Sequence, residues 1–196
     1  NTEWRVDETL DSLKGKPSAS CIIVAIHNDE HRMRDYSPYL FDLIDSANGR
    51  NYVSFIVNTL KPYIDKQYRT HRDAAHTSIA GSSLGGLISY YAILHHPEIF
   101  GNAGIFSPSF WINMLELSQL TANQAKELKG KLFFYMGEAE GKNYVDEMSA
   151  IAEQVGEKSK AVVYKVVDPL GIHNESSWSK WFPEFLVWVM SDGLNT

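Results

Sequence analysis

The sequence has a single cysteine and no apolar run long enough to cross a membrane. Cys21 opens the run CIIVAI, where a lone thiol is most often a small core residue, so a disulfide framework is excluded. A bilayer span needs about 20 consecutive apolar residues, and no membrane partner is expected. Residues 1–15 also lack the basic-then-apolar pattern of a signal peptide. The compartment therefore stays open between the cytoplasm and the secreted or periplasmic space.

Basic residues are also few, since 18 Lys and Arg stand against 24 Asp and Glu, a formal net charge of -6. Proteins that bind the phosphate backbone usually need a basic surface, so nucleic acid is not an expected partner. The negative charge mainly favours solubility. With 196 residues, 44% of them hydrophobic, the chain is predicted to form one globular α/β-hydrolase domain over residues 1–196. Nothing in the sequence determines the oligomeric state.

Short apolar runs alternate with segments of helical periodicity. Strands are predicted at residues 20–26, 76–80, 100–106, 131–136 and 161–167, and helices at residues 3–14, 51–68, 84–94, 111–129, 144–155 and 176–190. Because the strands are uninterrupted apolar runs, we expect a mostly parallel, doubly wound sheet with helices on both faces. Pro62 and Pro183 fall inside two of the helices and should bend or interrupt them. Residues 27–49 are predicted to form a long polar loop, of the kind that often serves a site.

The stretch HTSIAGSSLGGLISYYAIL, residues 76–94, contains the pattern G-x-S-x-G at Gly81, Ser83 and Gly85. The same pattern centred on Ser82 would need glycine at position 80, where the chain has alanine. A strand that turns at once into a helix holds the serine in a strained conformation, and flanking glycines remove Cβ atoms that would clash. Ser83 is therefore the candidate nucleophile.

The predicted helix after Ser83 directs its first N–H groups toward the serine oxygen. The backbone N–H of Leu84 is thus a candidate oxyanion donor. Two simpler explanations compete: a glycine-rich turn without chemistry, and an anion cradle of the Rossmann type. The second is disfavoured because G-x-G-x-x-G is absent.

Chain order leaves one histidine as the base for Ser83. In folds with this motif the acid and then the histidine follow the serine, and four of the seven histidines precede it. His95 and His96 end the following helix, about 18 Å away at about 1.5 Å per residue. His173 remains, in the polar loop DPLGIHNESSW after the last strand, where a parallel sheet presents its site. The alternative is a solvated loop histidine.

The loop after KLFFYM, with the sequence GEAEGKNYVDE, offers the acid. Glu140 is preferred and Glu138 is next, because both follow a strand end at a distance suited to orienting an imidazole. Asp146 and Glu147 suit an acidic helix start better, and Asp168 ends the following strand. No cluster of His, Cys or carboxylates shows convincing metal spacing, so neither a metal nor a cofactor is expected.

These motifs together resemble the putative esterase family of α/β-hydrolases, which includes esterase D-like enzymes, feruloyl esterases, siderophore esterases and mycolyltransferases. The matching pieces are WRVDETLDSL, IIVAIHND, RMRDYSP, IAGSSLGGLISYYAILHHPEIFGNAGIFSPSFW, FFYMGEAEG and GIHNESSWSKWF. The resemblance implies a serine esterase with Ser83 as nucleophile and His173 as base. Glu140 falls at the family's usual acid position, although some siderophore esterases depend little on an acid. An acyltransferase and a non-catalytic binding module are the alternatives.

One feature departs from that family. Its members normally begin with two or three strands, ending in a D-G type turn that supplies a second oxyanion N–H. By that pattern CIIVAI is expected to be the fourth strand and HTSIA the fifth. We therefore expect an N-terminally incomplete chain, because the loss of those strands would expose an apolar sheet edge and remove an oxyanion donor.

The predicted loop from His27 to Tyr36 is placed to line a substrate site together with Trp111 and Trp178. Arg34, within that loop, would suit an acidic or polyphenolic acid portion of a substrate. Alternatively, Arg34 and Asp35 pair to hold the loop, and Trp111 belongs to the core. The expected substrate is a small, carbohydrate-type or siderophore-type ester, and its acyl and alcohol portions stay open.

Overall fold

The computed structural model describes residues 4–15 and 20–191. Within them, four parallel strands form one sheet in the order β1-β2-β3-β4. The strands are β1 (Ser78–Ser82), β2 (Asn102–Phe106), β3 (Lys131–Gly137) and β4 (Val162–Asp168). The helices are α1 (Val6–Ser12), α2 (Arg32–Asp35), α3 (Gly49–Phe55), α4 (Lys61–Gln67), α5 (Leu84–His95), α6 (Met114–Gln124), α7 (Lys142–Lys158) and α8 (Glu175–Met190). The predicted doubly wound α/β architecture is confirmed.

Both faces of the sheet are covered, as the uninterrupted apolar strands predicted. Successive side chains of a strand point to opposite faces. In β3, Phe134 and Met136 join the core cluster under α5 and α7, whereas Phe133 and Tyr135 join the cluster under α8. One apolar strand therefore contributes to two cores. Since helices cover both faces of the sheet, a site is expected at the carboxyl ends of the strands.

The predicted strand at residues 20–26 is not formed. In the described part of the chain, residues 20–29 pair with no strand, and β1 is an edge of the sheet. Ile22, Ile23 and Val24 stay 47%, 41% and 40% exposed. An apolar run becomes a strand only when its N–H and C=O groups find ladder partners, and none reach these residues here.

The helix predicted at residues 51–68 is confirmed as a continuous helical segment from residue 49 to residue 67. A wider π-helical turn, Ile56–Leu60, separates α3 from α4 immediately before Pro62. Proline has no N–H and crowds the carbonyl four residues earlier, so a wider turn at this point accommodates it. The predicted loosening at Pro62 therefore takes the form of a π turn.

The other predicted helices are confirmed with adjusted ends. The helix predicted from residue 3, which lies outside the described residues, begins at Val6. The segment 111–129 contains α6 between two short 3₁₀ turns, Phe110–Ile112 and Ala125–Glu127. Helix α8 runs through Pro183 without ending. Within residues 4–15 and 20–191, no helix combines the length and apolar character that a bilayer crossing requires.

Candidate active site

Ser83 lies in the turn between β1 and α5. Its φ of 59° and ψ of -123° are rare for a residue with a side chain. Its N–H donates to the carbonyl of Phe106 at 2.9 Å, and its own carbonyl accepts from Leu87 at 3.1 Å and Ser109 at 3.2 Å. The strained turn is therefore held on both sides, which places the Ser83 side chain at the carboxyl end of β1.

The glycines of the motif have unequal roles. A Cβ on Gly81 would lie 2.6 Å from the carbonyl of Gly85, and a Cβ on Gly86 would lie 2.9 Å from the carbonyl oxygen of Phe106. A Cβ on Gly85 would meet nothing within 4 Å. The predicted clash is thus wrong for Gly85, because its Cβ would point into open space. Sequence reasoning missed Gly86, for which the doubled glycine was the available signal.

The surroundings of Ser83 Oγ include a second hydroxyl and a helix start. Ser109, which is buried, has its Oγ 3.3 Å from Ser83 Oγ, and either atom could donate. Leu84 begins α5, so its N–H has no carbonyl within the helix to bind. The amino end of a helix carries a partial positive charge, so a developing oxyanion would be stabilised there.

The structure pairs His173 with Glu140. His173 Nδ1 lies 2.6 Å from Glu140 Oε2. Glu140 ends a 3₁₀ turn, Glu138–Glu140, directly after β3, and His173 lies in the loop after β4. The side chain of Glu140 is 3% exposed and that of His173 is 47% exposed. A histidine whose Nδ1–H donates to a carboxylate keeps Nε2 available as a proton acceptor.

Glu140 is held by further hydrogen bonds. Its Oε1 accepts from Ser107 Oγ at 2.6 Å and from the N–H of Gly137 at 2.9 Å. Burial acts to raise the pKa of Glu140, but the hydrogen bonds from His173, Ser107 and Gly137 outweigh burial and lower the pKa below its ordinary value. The carboxylate is therefore ionised near neutral pH and can stabilise an imidazolium at His173.

Ser107, which sequence reasoning missed, joins this pair to the core. It follows β2 with a φ of 40°, and it is 1% exposed. Trp178 Nε1 donates to Ser107 Oγ at 2.8 Å, and the Trp178 ring meets the His173 ring edge to face at 5.1 Å between centroids. Trp178 is 5% exposed, so it lies behind His173 rather than in the substrate-lining position that the sequence predicted.

The other carboxylates considered for the acid have different surroundings. Glu138 is exposed, and Asp146 pairs with Lys142 one helical turn away. Glu147, on α7, has its pKa raised by burial. Asp168 is buried and accepts from Lys180 Nζ and Trp181 Nε1, each at 2.8 Å. Of these acids, Glu140 is the one that the structure places in contact with His173.

The predicted triad residues lie at the carboxyl end of the sheet. Ser83 follows β1, Glu140 follows β3 and His173 follows β4, and the strands are parallel. Among the described residues no hydrogen bond joins Ser83 to His173, since Ser83 Oγ faces Ser109. Hydrogen bonds of this kind often tighten only in the complex with substrate.

Arg34 and Trp111, the other two residues predicted to contact substrate, lie on separate segments. In the described part of the chain, Arg34 Nε is buried without a hydrogen-bond partner, and Asp35 accepts from Asn48 at 2.8 Å instead of pairing with Arg34. Trp111 is 48% exposed and stands two residues after Ser109, so the alternative of a core position does not hold.

A group of possible metal ligands lies away from the carboxyl end of the sheet. His71, Asp73 and His76 are exposed and bring ligand atoms within 4.8 Å of one another. Asp73 Oδ1 lies 2.7 Å from His76 Nδ1. The group precedes β1, so it lies at the amino end of the sheet, opposite to Ser83. Sequence reasoning missed it because the 3₁₀ turn Ala74–His76 brings the three side chains together.

Comparison with known proteins adds an independent result. A family model described as Putative esterase matches residues 1–189. The chain belongs to the Putative esterase family. The resemblance that the motifs indicate is thereby confirmed, and membership of this family supports ester hydrolysis as the activity.

The chain is similar in sequence to a bacterial protein and similar in fold to solved structures of esterases and hydrolases. The uncharacterized protein YbbA of Bacillus subtilis is 27% identical over 187 residues, which are 85% of this chain and 72% of YbbA. An IroE-like serine hydrolase from Shewanella oneidensis has a TM-score of 0.73 at 20% identity, over 96% of this chain and 66% of its own. The enterobactin esterase FES from Shigella flexneri has a TM-score of 0.65 at 22% identity, over 83% of this chain and 41% of its own. The α/β-hydrolase type of fold is confirmed, and the chain spans less than half of the enterobactin esterase.

Proposed function

We propose that this protein is a serine esterase that hydrolyses a small, carbohydrate-type or siderophore-type ester through an acyl-enzyme on Ser83. The observation that carries the proposal is the His173–Glu140 pair, 2.6 Å apart, at the same sheet edge as the strained serine of G-x-S-x-G. Membership of the Putative esterase family supports ester hydrolysis, and the similarity to an enterobactin esterase supports a small-molecule ester as substrate.

The first half of the mechanism acylates the serine. Glu140 accepts the Nδ1–H of His173, so Nε2 takes the proton as Ser83 Oγ attacks the ester carbonyl carbon. The resulting oxyanion lies at the amino end of α5, where the N–H of Leu84 can donate to it. When the tetrahedral intermediate collapses, the bond to the alcohol oxygen breaks, and that oxygen takes the proton from His173.

The second half clears the acyl-enzyme. His173 takes a proton from water, whose oxygen attacks the acyl carbonyl, and collapse releases the acid and returns the proton to Ser83. The 47% exposure of the His173 side chain supports water as the acceptor, because solvent reaches this side of the site. Product analysis with an added alcohol distinguishes this hydrolysis from acyl transfer, since transfer would convert the alcohol to a new ester.

A fluorophosphonate tests the nucleophile directly. We expect one label per chain in the intact mass, on Ser83 after peptide mapping. Ser83→Ala should abolish both the label and p-nitrophenyl acetate turnover, whereas Ser82→Ala, the matched control, should keep most of each. No label on the folded wild-type protein would contradict the proposed esterase, and equal losses in the two variants would contradict the choice of serine.

A further inference from the structure

A continuous chain of hydrogen bonds connects Trp178 to His173 through Ser107 and Glu140. The three links are 2.8 Å from Trp178 Nε1 to Ser107 Oγ, 2.6 Å from Ser107 Oγ to Glu140 Oε1, and 2.6 Å from Glu140 Oε2 to His173 Nδ1. An indole N–H only donates, and an ionised carboxylate only accepts. Ser107 must therefore accept from Trp178 and give its own proton to Glu140, which also accepts from His173, so the hydrogen bonds converge on the Glu140 carboxylate.

The two oxygens of the Glu140 carboxylate have separate partners. Oε1 accepts from Ser107 and from the N–H of Gly137, while Oε2 faces His173. The side chain is 3% exposed, so rotating the carboxylate would break these hydrogen bonds with no solvent to replace them. His173 must then present an N–H to Oε2, which keeps the proton of the neutral ring on Nδ1 and the lone pair on Nε2.

Trp178 and Ser107 are themselves fixed by the core. The N–H of Ser107 donates to the carbonyl of Tyr135 in β3 at 2.7 Å. Trp178, on α8, donates to Ser107 and also meets the His173 ring at an angle of 86°. His173 is half-exposed on a loop, so its orientation depends on these buried neighbours more than on its own packing.

We propose that Ser107 and Trp178 are positioning residues, which orient Glu140 and thereby hold His173 in its Nδ1–H tautomer. The catalytic consequence rests on the proposed esterase function, but the tautomer can be measured without turnover. Within the described part of the chain neither side chain hydrogen-bonds to Ser83, so both act on the rate through Glu140 and His173.

Ser107→Ala and Trp178→Phe each remove one donor and keep most of the packing. In ¹⁵N imidazole spectra the wild type should show His173 as the Nδ1–H tautomer, and both variants should show a mixture of tautomers. We expect kcat for p-nitrophenyl acetate to fall about 10- to 100-fold, by analogy with the loss of outer hydrogen-bond partners at metal sites. KM should change less than about twofold, because substrate binding is not the interaction removed.

Two matched variants control for general effects of the substitutions. Trp181 Nε1 also donates to a buried carboxylate, that of Asp168, at 2.8 Å, but it lies outside the chain of hydrogen bonds, so Trp181→Phe should keep the tautomer and kcat. Ser89→Ala removes the hydroxyl of a serine on α5 that is 2% exposed, and this variant should also keep the His173 tautomer and kcat.

An unchanged His173 tautomer and an unchanged kcat in both Ser107→Ala and Trp178→Phe would overturn the inference. If Ser107→Ala does not fold, Trp178→Phe alone decides, because its ring still fills most of the space of the indole. Failure of the proposed function is a separate outcome: Ser83 would resist the fluorophosphonate while the tautomer of the wild type still depended on Ser107 and Trp178.

Discussion

At Ser83 a backbone conformation that costs on the order of 1–3 kcal/mol is kept by its neighbours. The peptide groups of Ser83 hydrogen-bond to Phe106, Leu87 and Ser109, so they are tied to the end of β2, to α5 and to the segment after β2. The strain presents the hydroxyl at the sheet edge, in front of the first N–H groups of α5. Without these hydrogen bonds the backbone at Ser83 would relax to a more favourable conformation. The anchoring is therefore an argument for a functional serine.

Replacement of Glu140 by glutamine tests the acid. The amide cannot accept two hydrogen bonds at one oxygen and one at the other as the carboxylate does, so Glu140→Gln should favour the wrong His173 tautomer. We expect kcat to fall on the order of 10²- to 10⁴-fold, in line with such changes in serine hydrolases. Glu138→Gln, which changes an exposed neighbour on the same turn, should keep kcat within about twofold.

The lowered pKa of Glu140 predicts a pH dependence of stability, which Glu140→Gln also tests. The folded state lowers the pKa of Glu140, so the stabilisation from its charge is present above the unfolded pKa and is lost as the pH falls through the folded pKa. The stability lead of the wild type over Glu140→Gln, measured by urea unfolding, should therefore be largest near neutrality and shrink on acidification. A lead that grows as the pH falls would contradict the assignment of hydrogen bonds to an ionised Glu140.

Chain order and motif spacing were enough to find Ser83, His173 and Glu140 as candidates, because each follows the end of a predicted strand. Ser107 could not be found in this way. It carries no motif of its own, and it meets Glu140 only because β2 and β3 align Phe106 with Tyr135. Register between strands is not visible in one sequence, so residues that act through it escape sequence reasoning.

At the scale of elements, the packing of α5 against β1 and β2 depends on glycine at two positions and not at a third. Gly86→Ala should lower the free energy of unfolding by more than about 2 kcal/mol, because its Cβ would meet the carbonyl oxygen of Phe106 at 2.9 Å. Gly85→Ala, its neighbour, should raise the free energy by up to about 1 kcal/mol through helix propensity, since its Cβ meets nothing within 4 Å. Urea unfolding of the two variants checks the contrast, and equal destabilisation would refute it.

The elements that could be predicted are those whose partners lie within the described chain. Strands β1 to β4 were predicted from their apolar runs. The prediction is confirmed because each of these runs has a neighbouring strand with which to pair. CIIVAI has the same composition but stays irregular, because composition supplies apolar side chains and a strand also needs a hydrogen-bonding partner. The π turn before Pro62 was foreseen only as a disturbance, since the form that relieves a proline depends on packing.

At the scale of the whole molecule, the four strands are parallel, so every turn that follows a strand opens at the carboxyl end of the sheet. That arrangement alone brings a nucleophile, an acid and a base from distant parts of the sequence to one place. The same sheet has an outer strand, β1, that is not fully paired among the described residues. Within the described ranges β1 has one strand neighbour, β2, and the apolar residues 22–24 stay 40–47% exposed.

An unpaired strand edge and an exposed apolar run each favour association between molecules. We therefore expect the apparent molar mass from static light scattering to rise with protein concentration, and Ile23→Lys to reduce that rise, because Ile23 is 41% exposed and a charge there disfavours contact. The melting temperature should change by less than about 2 °C, since little burial is lost. Val53→Lys is the contrasting variant: Val53 is 1% exposed, so the same charge should unfold the protein. If Ile23→Lys unfolded the protein as Val53→Lys should, residues 22–24 would belong to a packed core and not to an exposed surface in solution.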